Sequence, residues 1–353
     1  MSATRHHWIA LGLFALFGLL VPLLNAQGFI ADTTLNLWGR YFCFAIVALG
    51  MDLIWGYTGI LSLCQAFFFC LGGYAIGMHM LLKTGTRGVY GSVLPDFMVW
   101  NRVEELPFFW EPFHSLPLTL LLGLLVPGAA ALIFGFLAFR SRIKGVYFAI
   151  ITQALALAMW LLFLRNETML GGTNGLTDFK SLLGFELTQP ATKRGLYITT
   201  CAALLAAYYL CRYMVHSKVG KLLVAIRDGE HRLRFIGYHI TRYKIFVFVV
   251  AGMLAGLGGM LYVPQTGIIT PGRMDVQASI EIVVWTALGG RGTLVGAMVG
   301  AVLVNLLYSY LTGAFPGTWL YFLGILFIGI VLFFPEGIVG IATKLRKRGA
   351  KKA

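Results

Sequence analysis

The sequence has few charged residues, and acidic ones are scarcest. Of its 353 residues, 12% are charged, and only 14 are Asp or Glu. Soluble proteins carry roughly 25% charged residues. A soluble core cannot absorb the 58% of residues that are hydrophobic. The composition excludes an ordinary soluble domain and indicates a membrane protein.

The chain also lacks the motifs of nucleotide binding and catalysis. Its only Gly-Lys pair, Gly220-Lys221, is followed by Leu222, so the sequence contains no phosphate-binding P-loop. It contains neither a dinucleotide-binding GxGxxG nor an HExxH, and no nucleophile and base pair is recognisable. We predict that the protein is not an enzyme, and that another chain hydrolyses ATP if ATP drives it.

Cysteine and histidine are sparse and have no metal-ligand spacing. The seven histidines are scattered, and the five cysteines lie within or beside apolar runs. These cysteines are Cys43, Cys64, Cys70, Cys201 and Cys211. We predict that they are packing residues, and we expect neither a metal site nor a cofactor.

Long apolar runs recur along the whole chain. A helix needs about 20 apolar residues to cross the roughly 30 Å hydrocarbon core. The runs cover residues 8–25, 41–56, 59–82, 117–139, 146–164, 195–214, 244–263, 277–289, 293–313 and 318–335. They predict an all-α polytopic membrane protein with about ten transmembrane helices in one domain, residues 1–343. The eighth run predicts a short or discontinuous helix.

The first run has an alternative interpretation. Residues 8–24 follow Arg5 near the start of the sequence, as the apolar part of a signal peptide does. A small-residue cleavage signature before Gln27 is missing. We therefore interpret the run as the first span.

Lys and Arg are unevenly divided between the two sets of loops. If the N-terminus is inside and the spans alternate in direction, 18 of the 28 Lys and Arg residues fall in cytoplasmic segments and nine fall in extracytoplasmic segments. The remaining one, Arg291, lies at a helix break. Cytoplasmic loops carry an excess of these residues. Both termini are thus predicted to be cytoplasmic, including the basic tail 344–353. The +14 net charge then faces anionic lipid, and we expect no nucleic-acid partner.

The largest cytoplasmic loop, about residues 215–243, has the pattern of a short amphipathic helix. Residues at spacings of four and three share one face. They are Leu222, Ile226, Gly229, Leu233 and Ile236. The polar face carries acid and base four apart, as Asp228 with Arg232 and Glu230 with Arg234. We expect Gly220 and Gly237 at the helix ends.

This helix has two interpretations. It lies among the lipid head groups, or it couples the chain to a nucleotide-binding subunit by seating in a groove of that subunit. Mixed charge on the polar face favours coupling over a purely lipid-binding role. The candidate coupling residues are Leu222, Ala225, Ile226, Arg227, Asp228, Glu230, Leu233 and Gly237.

Five sequence blocks carry a family resemblance. They are GYTGILSL (56–63), IKGVYFAIIT (143–152), GGTNGL (171–176), GKLLVAIRDGEHRLRFIG (220–237) and AGMLAGLGG (251–259). Together they resemble permeases of branched-chain amino-acid ABC importers over roughly residues 40–340. The resemblance implies four kinds of partner: a paralogous permease subunit forming a heterodimer, two ATP-binding subunits, an extracytoplasmic solute-binding protein and membrane lipid. It also implies a multi-pass location in the bacterial inner membrane.

Within that family, three segments resemble the second permease of the urea and short-chain amide branch. They are QALAL (153–157), RNET (165–168) and GLTDFK (175–180). Cys64-Gln65 stands where branched-chain amino-acid members usually carry Gly-His. The resemblance therefore implies urea or a short-chain amide as solute, with a branched-chain amino acid as the alternative. A secondary transporter or channel is less favoured, since Asp52 and Glu281 alone offer coupling carboxylates within apolar runs.

Uncharged polar residues inside the predicted spans are candidates for the translocation path. Hydroxyl and amide groups exchange hydrogen bonds with a neutral solute, although the same groups also join helices. The candidates are Ser62, Gln65, Thr152 and Gln153. The resemblance adds an extracytoplasmic loop with Gly171, Gly172, Asn174 and Gly175.

The apolar runs also contain stripes of small residues and two carboxylates. Stripes of small residues allow close helix packing in lipid. They are Gly252xxxGly256, Ala251xxxAla255xxxGly259 and Gly292xxxGly296xxxGly300. Asp52 and Glu281 must face protein or water, because a central charge costs about 2.5–3.5 kcal/mol on insertion scales. An ion pair between Glu281 and Arg291 is one arrangement in which Glu281 would face protein.

Overall fold

The computed structural model describes residues 12, 14, 16–141, 143, 145–315, 317, 318, 321, 322, 324, 325, 328, 329, 337 and 338. The predicted tail 344–353, most of the last apolar run and the start of the first lie outside these residues. The helices in the described part are α1 (Val21–Ala26), α2 (Asp32–Thr58), α3 (Gln65–Thr84), α4 (Asp96–Trp100), α5 (Leu116–Arg140), α6 (Val146–Phe163), α7 (Pro190–His216), α8 (Lys218–Phe235), α9 (Ile240–Thr266), α10 (Val276–Gly289) and α11 (Leu294–Ala314).

Among these, seven helices are long and apolar enough to cross a membrane: α2, α3, α5, α6, α7, α9 and α11. Two shorter apolar segments, Leu16–Ala26 and α10, accompany them. A two-residue hairpin, β1 (Ser181–Leu182) with β2 (Phe185–Glu186), precedes α7. The predicted all-α polytopic fold is confirmed. So is the short eighth element, because α10 has only 14 residues.

The core of the bundle consists of α2, α3 and α9. In their most apolar stretches, 83% of α2 and 89% of α3 are buried, against 28% of α5 and of α6. The exposed side chains of α5 and α6 are mainly Leu, Ile and Phe. In a bilayer such a surface is stable because it faces acyl chains. Helices α5 and α6 therefore lie at the periphery of the bundle, with α2 and α3 inside it.

Glycine sets the distance between the core helices. A Cβ at Gly72 would collide with the carbonyl of Gly256, and one at Gly259 with that of Phe69. These contacts confirm close packing along the predicted α9 stripe. In the third stripe, Gly296 and Gly300 pack closely on α10, but Gly292 lies in the α10–α11 turn with φ +73°.

The loops gather at two ends of the bundle that match the two sides inferred from charge. At one end, Arg227 of α8 meets the end of α2. At the other end, Trp110 Nε1 donates to the carbonyl of Met169 at 3.2 Å, and Leu176 pairs with Ile269 in an isolated bridge. We call these the cytoplasmic and extracytoplasmic ends, following the predicted orientation.

Candidate functional site

Helix α8 is the predicted amphipathic helix of the cytoplasmic loop. It begins after Ser217, whose side chain caps it by accepting from the Val219 amide. The predicted start at Gly220 is therefore wrong, because the Ser217 cap draws Lys218 into the helix. Gly237, with φ +92°, follows the helix end as expected. Gly229, with extended φ and ψ 68°, interrupts the helix.

The interruption at Gly229 separates two surfaces. Before it, Gly220, Leu223 and Ile226 are buried, and Leu222 and Ala225 are half-buried. After it, Leu233 is half-buried, whereas Phe235 is 93% and Ile236 72% exposed. One apolar face from Leu222 to Ile236 was predicted, and that prediction is wrong because the kink breaks the helical spacing. The strongly exposed apolar pair is Phe235 and Ile236.

Charged side chains of α8 connect it to the rest of the bundle. Glu230 accepts from Arg234, as predicted, and from Lys244 of α9, both at 3.0 Å. Asp228 pairs with Arg227 at 3.0 Å and not with Arg232. The Lys244 side chain is only 9% exposed, and its ammonium lies 6.0 Å from the Phe139 ring centroid. Glu230 thereby fastens the second half of α8 to α9.

A second connection joins α8 to α2 and to the α10–α11 turn. Arg227 Nη1 donates to the Gly56 carbonyl at 2.8 Å. The Tyr57 hydroxyl donates to the Gly292 carbonyl at 3.1 Å, and the Gly292 amide donates to Asp52 Oδ1 at 2.7 Å. We call these five residues the cytoplasmic junction. Three segments distant in sequence are thus hydrogen-bonded together beside α8.

The junction accounts for Asp52 but not for Glu281. Asp52 is fully buried and faces protein, as expected. Glu281 does not pair with Arg291. Instead, it accepts from Gln277 at 3.1 Å, while the Arg291 guanidinium lies 4.7 Å from the Trp55 ring centroid. The predicted pair is wrong because the turn after α10 directs Arg291 toward α2.

A cavity of about 260 Å³ adjoins the junction at the cytoplasmic end. Gly59, with φ +73°, ends α2 at its rim, and the α5–α6 connection closes the other side. From α8 it is lined by Ile226, Arg227, Asp228, Gly229 and Glu230. Four of the predicted coupling residues and their neighbour Gly229 thus line one cavity together with the membrane helices.

Three of the four candidate path residues come together around the non-helical segment between α2 and α3, with Ser62 in that segment, Gln65 at the start of α3 and Thr152 on α6. Gln65 Nε2 donates to Ser62 Oγ at 3.5 Å, and Ser62 lies 3.4 Å from Cys64 Sγ. Thr152 of α6 accepts from the Leu63 amide at 2.9 Å. Gln65 Oε1 is buried and has no hydrogen-bond partner in the described part of the chain. The cluster is uncharged and retains one free acceptor.

The fourth candidate, Gln153, is placed differently. It is half-buried on α6 beside the fully buried Thr152. In the hydrogen bonds of the described residues, it is not joined to Ser62 or Gln65. The helical rotation of about 100° between neighbours explains the difference.

The predicted extracytoplasmic glycine loop forms a tight turn. The Gly175 amide donates to the carbonyls of Gly171 and Gly172, each at 3.1 Å. All three glycines have positive φ, and a Cβ at Gly175 would collide with the Ile269 carbonyl. The exposed Asn174 and the neighbouring turn line a cavity of about 560 Å³. Only glycine fits here without strain, which explains this part of the motif.

Sequence reasoning missed several residues of the cytoplasmic site. Phe235 lies within the amphipathic segment but off its apolar spacing, so periodicity did not select it. Gly56 and Tyr57 belong to a resembling block, yet no local pattern links them to Arg227 across 171 positions. The described residues contain no cluster of three or more His, Cys, Asp or Glu side chains able to hold a metal ion.

Comparison with known proteins agrees with this architecture. The high-affinity branched-chain amino acid transport system permease protein LivM of Salmonella typhimurium is 23% identical, covering 94% of this chain and 75% of the relative. A probable branched-chain amino acid transport permease protein LivM of Methanocaldococcus jannaschii is 24% identical, covering 86% and 91%. The ribose import permease protein RbsC of Haemophilus influenzae is 22% identical, covering 83% and 81%. No solved structure matches the chain.

The family profile described as branched-chain amino acid transport system, permease component, matches residues 33–331. The match includes every helix from α2 to α11, apart from the first residue of α2. The chain therefore belongs to this permease family, as a multi-pass transport protein of the inner membrane.

Proposed function

We propose that the chain is the translocation subunit of an ABC importer whose ATP-binding subunits dock on α8. The observation that carries this proposal is the construction of the cytoplasmic end. Arg227 and Glu230 fasten α8 to α2 and α9, while Phe235 and Ile236 project from it without cover. An ATP-binding subunit that binds Phe235 and Ile236 can therefore move α2 and α9 through the bonds of Arg227 and Glu230.

The contacts of α8 also distinguish a coupling helix from a helix that lies among lipid head groups. A helix that only rests on lipid needs an apolar face toward the bilayer and few fixed contacts with neighbouring helices. In α8, Leu223 and Ile226 of the first half are buried within the chain, while Arg227 and Glu230 form directed bonds with α2 and α9. Directed links of this kind favour force transmission.

The proposed assembly contains two ATP-binding subunits, this chain, a paralogous permease subunit and an extracytoplasmic solute-binding protein. The sequence contains no P-loop, so the nucleotide sites belong to partners. At the opposite end, the 171–175 turn and its cavity form the surface on which a binding protein would deliver solute.

Two solute classes are candidates, each with its own observation. The names of the LivM relatives favour a branched-chain amino acid and give no support to urea. Urea or a short-chain amide is favoured by the QALAL, RNET and GLTDFK segments and by the uncharged cluster of Ser62, Gln65 and Thr152. A neutral lining requires no counter-charge from the solute.

Uptake by a deletion strain separates the two classes. Loss of high-affinity uptake of labelled leucine, with urea uptake intact, supports the amino-acid class, and the reverse result supports urea. Complementation with the intact gene is the control for each. If both uptakes persist and the purified chain does not associate with an ATP-binding subunit, the importer proposal is wrong.

A further inference from the structure

A cavity of about 340 Å³ lies at the extracytoplasmic end, distinct from the sites described above. Its wall combines α2, α9, the 270–275 loop, α10 and α11. Every one of these elements except the loop belongs to the bundle interior or lies against it. The volume falls within the roughly 300–1,000 Å³ typical of small-molecule sites.

Opposite charges line this cavity. Arg40 comes from α2, Arg273 and Asp275 come from the loop, and Glu281 comes from the second turn of α10. Arg40 Nε is buried and has no hydrogen-bond partner among the described residues. The wall of this cavity therefore combines guanidinium groups with carboxylates, and one of these guanidinium groups keeps a donor that the described residues do not use.

Several of these groups are held in place. Gln277 donates to Glu281 Oε1 at 3.1 Å, and the Arg273 guanidinium lies 5.5 Å from the Tyr262 ring centroid. Tyr41 donates to Ser309 Oγ at 2.5 Å across the α2 and α11 walls. These contacts orient the lining without closing the cavity.

We propose that this cavity is a solute site of the importer, built for a small molecule with an oxygen acceptor at one end and N–H donors at the other. The proposal rests on the proposed import function. Guanidinium groups bind carboxylate and carbonyl oxygens, and carboxylates accept from ammonium or amide N–H groups. A free amino acid and urea share this chemistry.

In the 260 Å³ cavity, charges of both signs are present, but Asp228 is paired with Arg227 and Glu230 with Arg234 and Lys244. Two other cavities lack opposite charges. At the 560 Å³ cavity, the Asp96 carboxylate already accepts from the Val89 and Tyr90 amides, and the lining contains no Arg or Lys. A cavity of about 250 Å³ between Phe14 and Leu306 is lined by apolar side chains and cysteine. Of the 340, 560 and 250 Å³ cavities, only the first offers both donors and acceptors of opposite charge.

Helix α10 connects this cavity with the cytoplasmic junction. Its first half contributes Gln277 and Glu281, and the turn that follows its end contains Gly292. A 14-residue helix spans about 21 Å. A solute that binds Glu281 therefore contacts the same rigid element that Asp52 and Tyr57 hold at the other end.

The first experiment measures transport by the complete importer reconstituted in proteoliposomes, with labelled L-leucine and labelled urea as separate probes. Glu281→Gln removes the negative charge of the carboxylate but leaves one oxygen, that of the new amide, as an acceptor. We expect leucine transport to fall more than tenfold, since each 1.4 kcal/mol of lost pairing is a factor of about ten. Urea transport should change much less, because an amide oxygen still accepts its N–H groups. Glu186→Gln, on the exposed hairpin at the same end, is the matched control.

The second experiment does not require transport. Ala278 lines the cavity and is partly exposed, whereas all five native cysteines are buried. In Ala278→Cys, millimolar leucine or urea should slow labelling by a hydrophilic thiol reagent added from the extracytoplasmic side. Protection by either probe supports the site, and the effective probe identifies the solute class.

The two proposals fail in distinguishable ways. If the parent complex transports neither probe, the proposed solutes are wrong, and thiol protection alone decides whether the cavity binds them. If the parent transports a probe, but Glu281→Gln matches it for both and neither probe slows labelling, the cavity is not a solute site. In that case the proposal that the chain belongs to an importer is unaffected.

Discussion

Phe235 provides the sharpest test of the docking surface. Its side chain is 93% exposed, so truncation to Ala leaves no cavity in this chain and should not lower its thermal stability. If the ring seats in a groove of the ATP-binding subunit, nearly all of that surface becomes buried on assembly. Complete burial of a Phe side chain contributes about 1.5–3 kcal/mol. Phe235→Ala should therefore weaken the association roughly tenfold to a hundredfold.

The assay titrates the ATP-binding subunit against the detergent-purified permease and measures both the bound fraction and the stimulated ATP hydrolysis. Phe108→Ala is the matched control, because Phe108 is 84% exposed and belongs to the loop region at the extracytoplasmic end. Phe108→Ala should bind like the parent. Unfolding temperatures of the variants verify that differences arise at the interface.

One result would refute the reasoning. If Phe235→Ala and Phe235→Asp both associate and transport like the parent, the exposed pair does not contact the ATP-binding subunit. Binding of α8 to anionic vesicles that weakens in Phe235→Asp would then support the head-group interpretation of this helix.

Two further variants test the junction and the packing of the core. Arg227→Gln removes the 2.8 Å hydrogen bond to Gly56, so the complex should still hydrolyse ATP but should transport several-fold less solute per ATP. The control is Arg232→Gln, because Arg232 is exposed on the same helix. If both variants transport the same amount of solute per ATP, the bond has no role in coupling. Gly259→Ala forces a methyl group against the Phe69 carbonyl and should destabilise the bundle by about 1–3 kcal/mol, measured by thermal unfolding in detergent. Gly195→Ala, which has open space around the new methyl group, should not, and equal unfolding temperatures would contradict the close contact.

The sequence predicted the helices well, because apolar run length alone reports a membrane span. The predicted run 117–139 became Leu116–Arg140, and 146–164 became Val146–Phe163. The run 59–82 was less accurate, since residues 59–64 are not helical and α3 begins at Gln65. Apolar composition cannot show that break, because Ile60, Leu61 and Leu63 are as apolar as a helix interior.

The site was harder to predict, because it consists of contacts between distant residues. Charge spacing indicated the Glu230 and Arg234 pair, which is local, but not the bond from Glu230 to Lys244. Arg40 counted only toward orientation in the sequence. Its position in the same cavity as Glu281 depends on how α2 and α10 pack, which one sequence does not reveal.

The buried Asp52 has a consequence for the order in which the chain is assembled in the membrane. Its partner, the Gly292 amide, is synthesised 240 residues later. The hydrogen bond that satisfies the buried Asp52 Oδ1 therefore cannot form before the α10–α11 turn has been made. We expect the position of α2 beside that turn to be fixed only late in the synthesis of the chain.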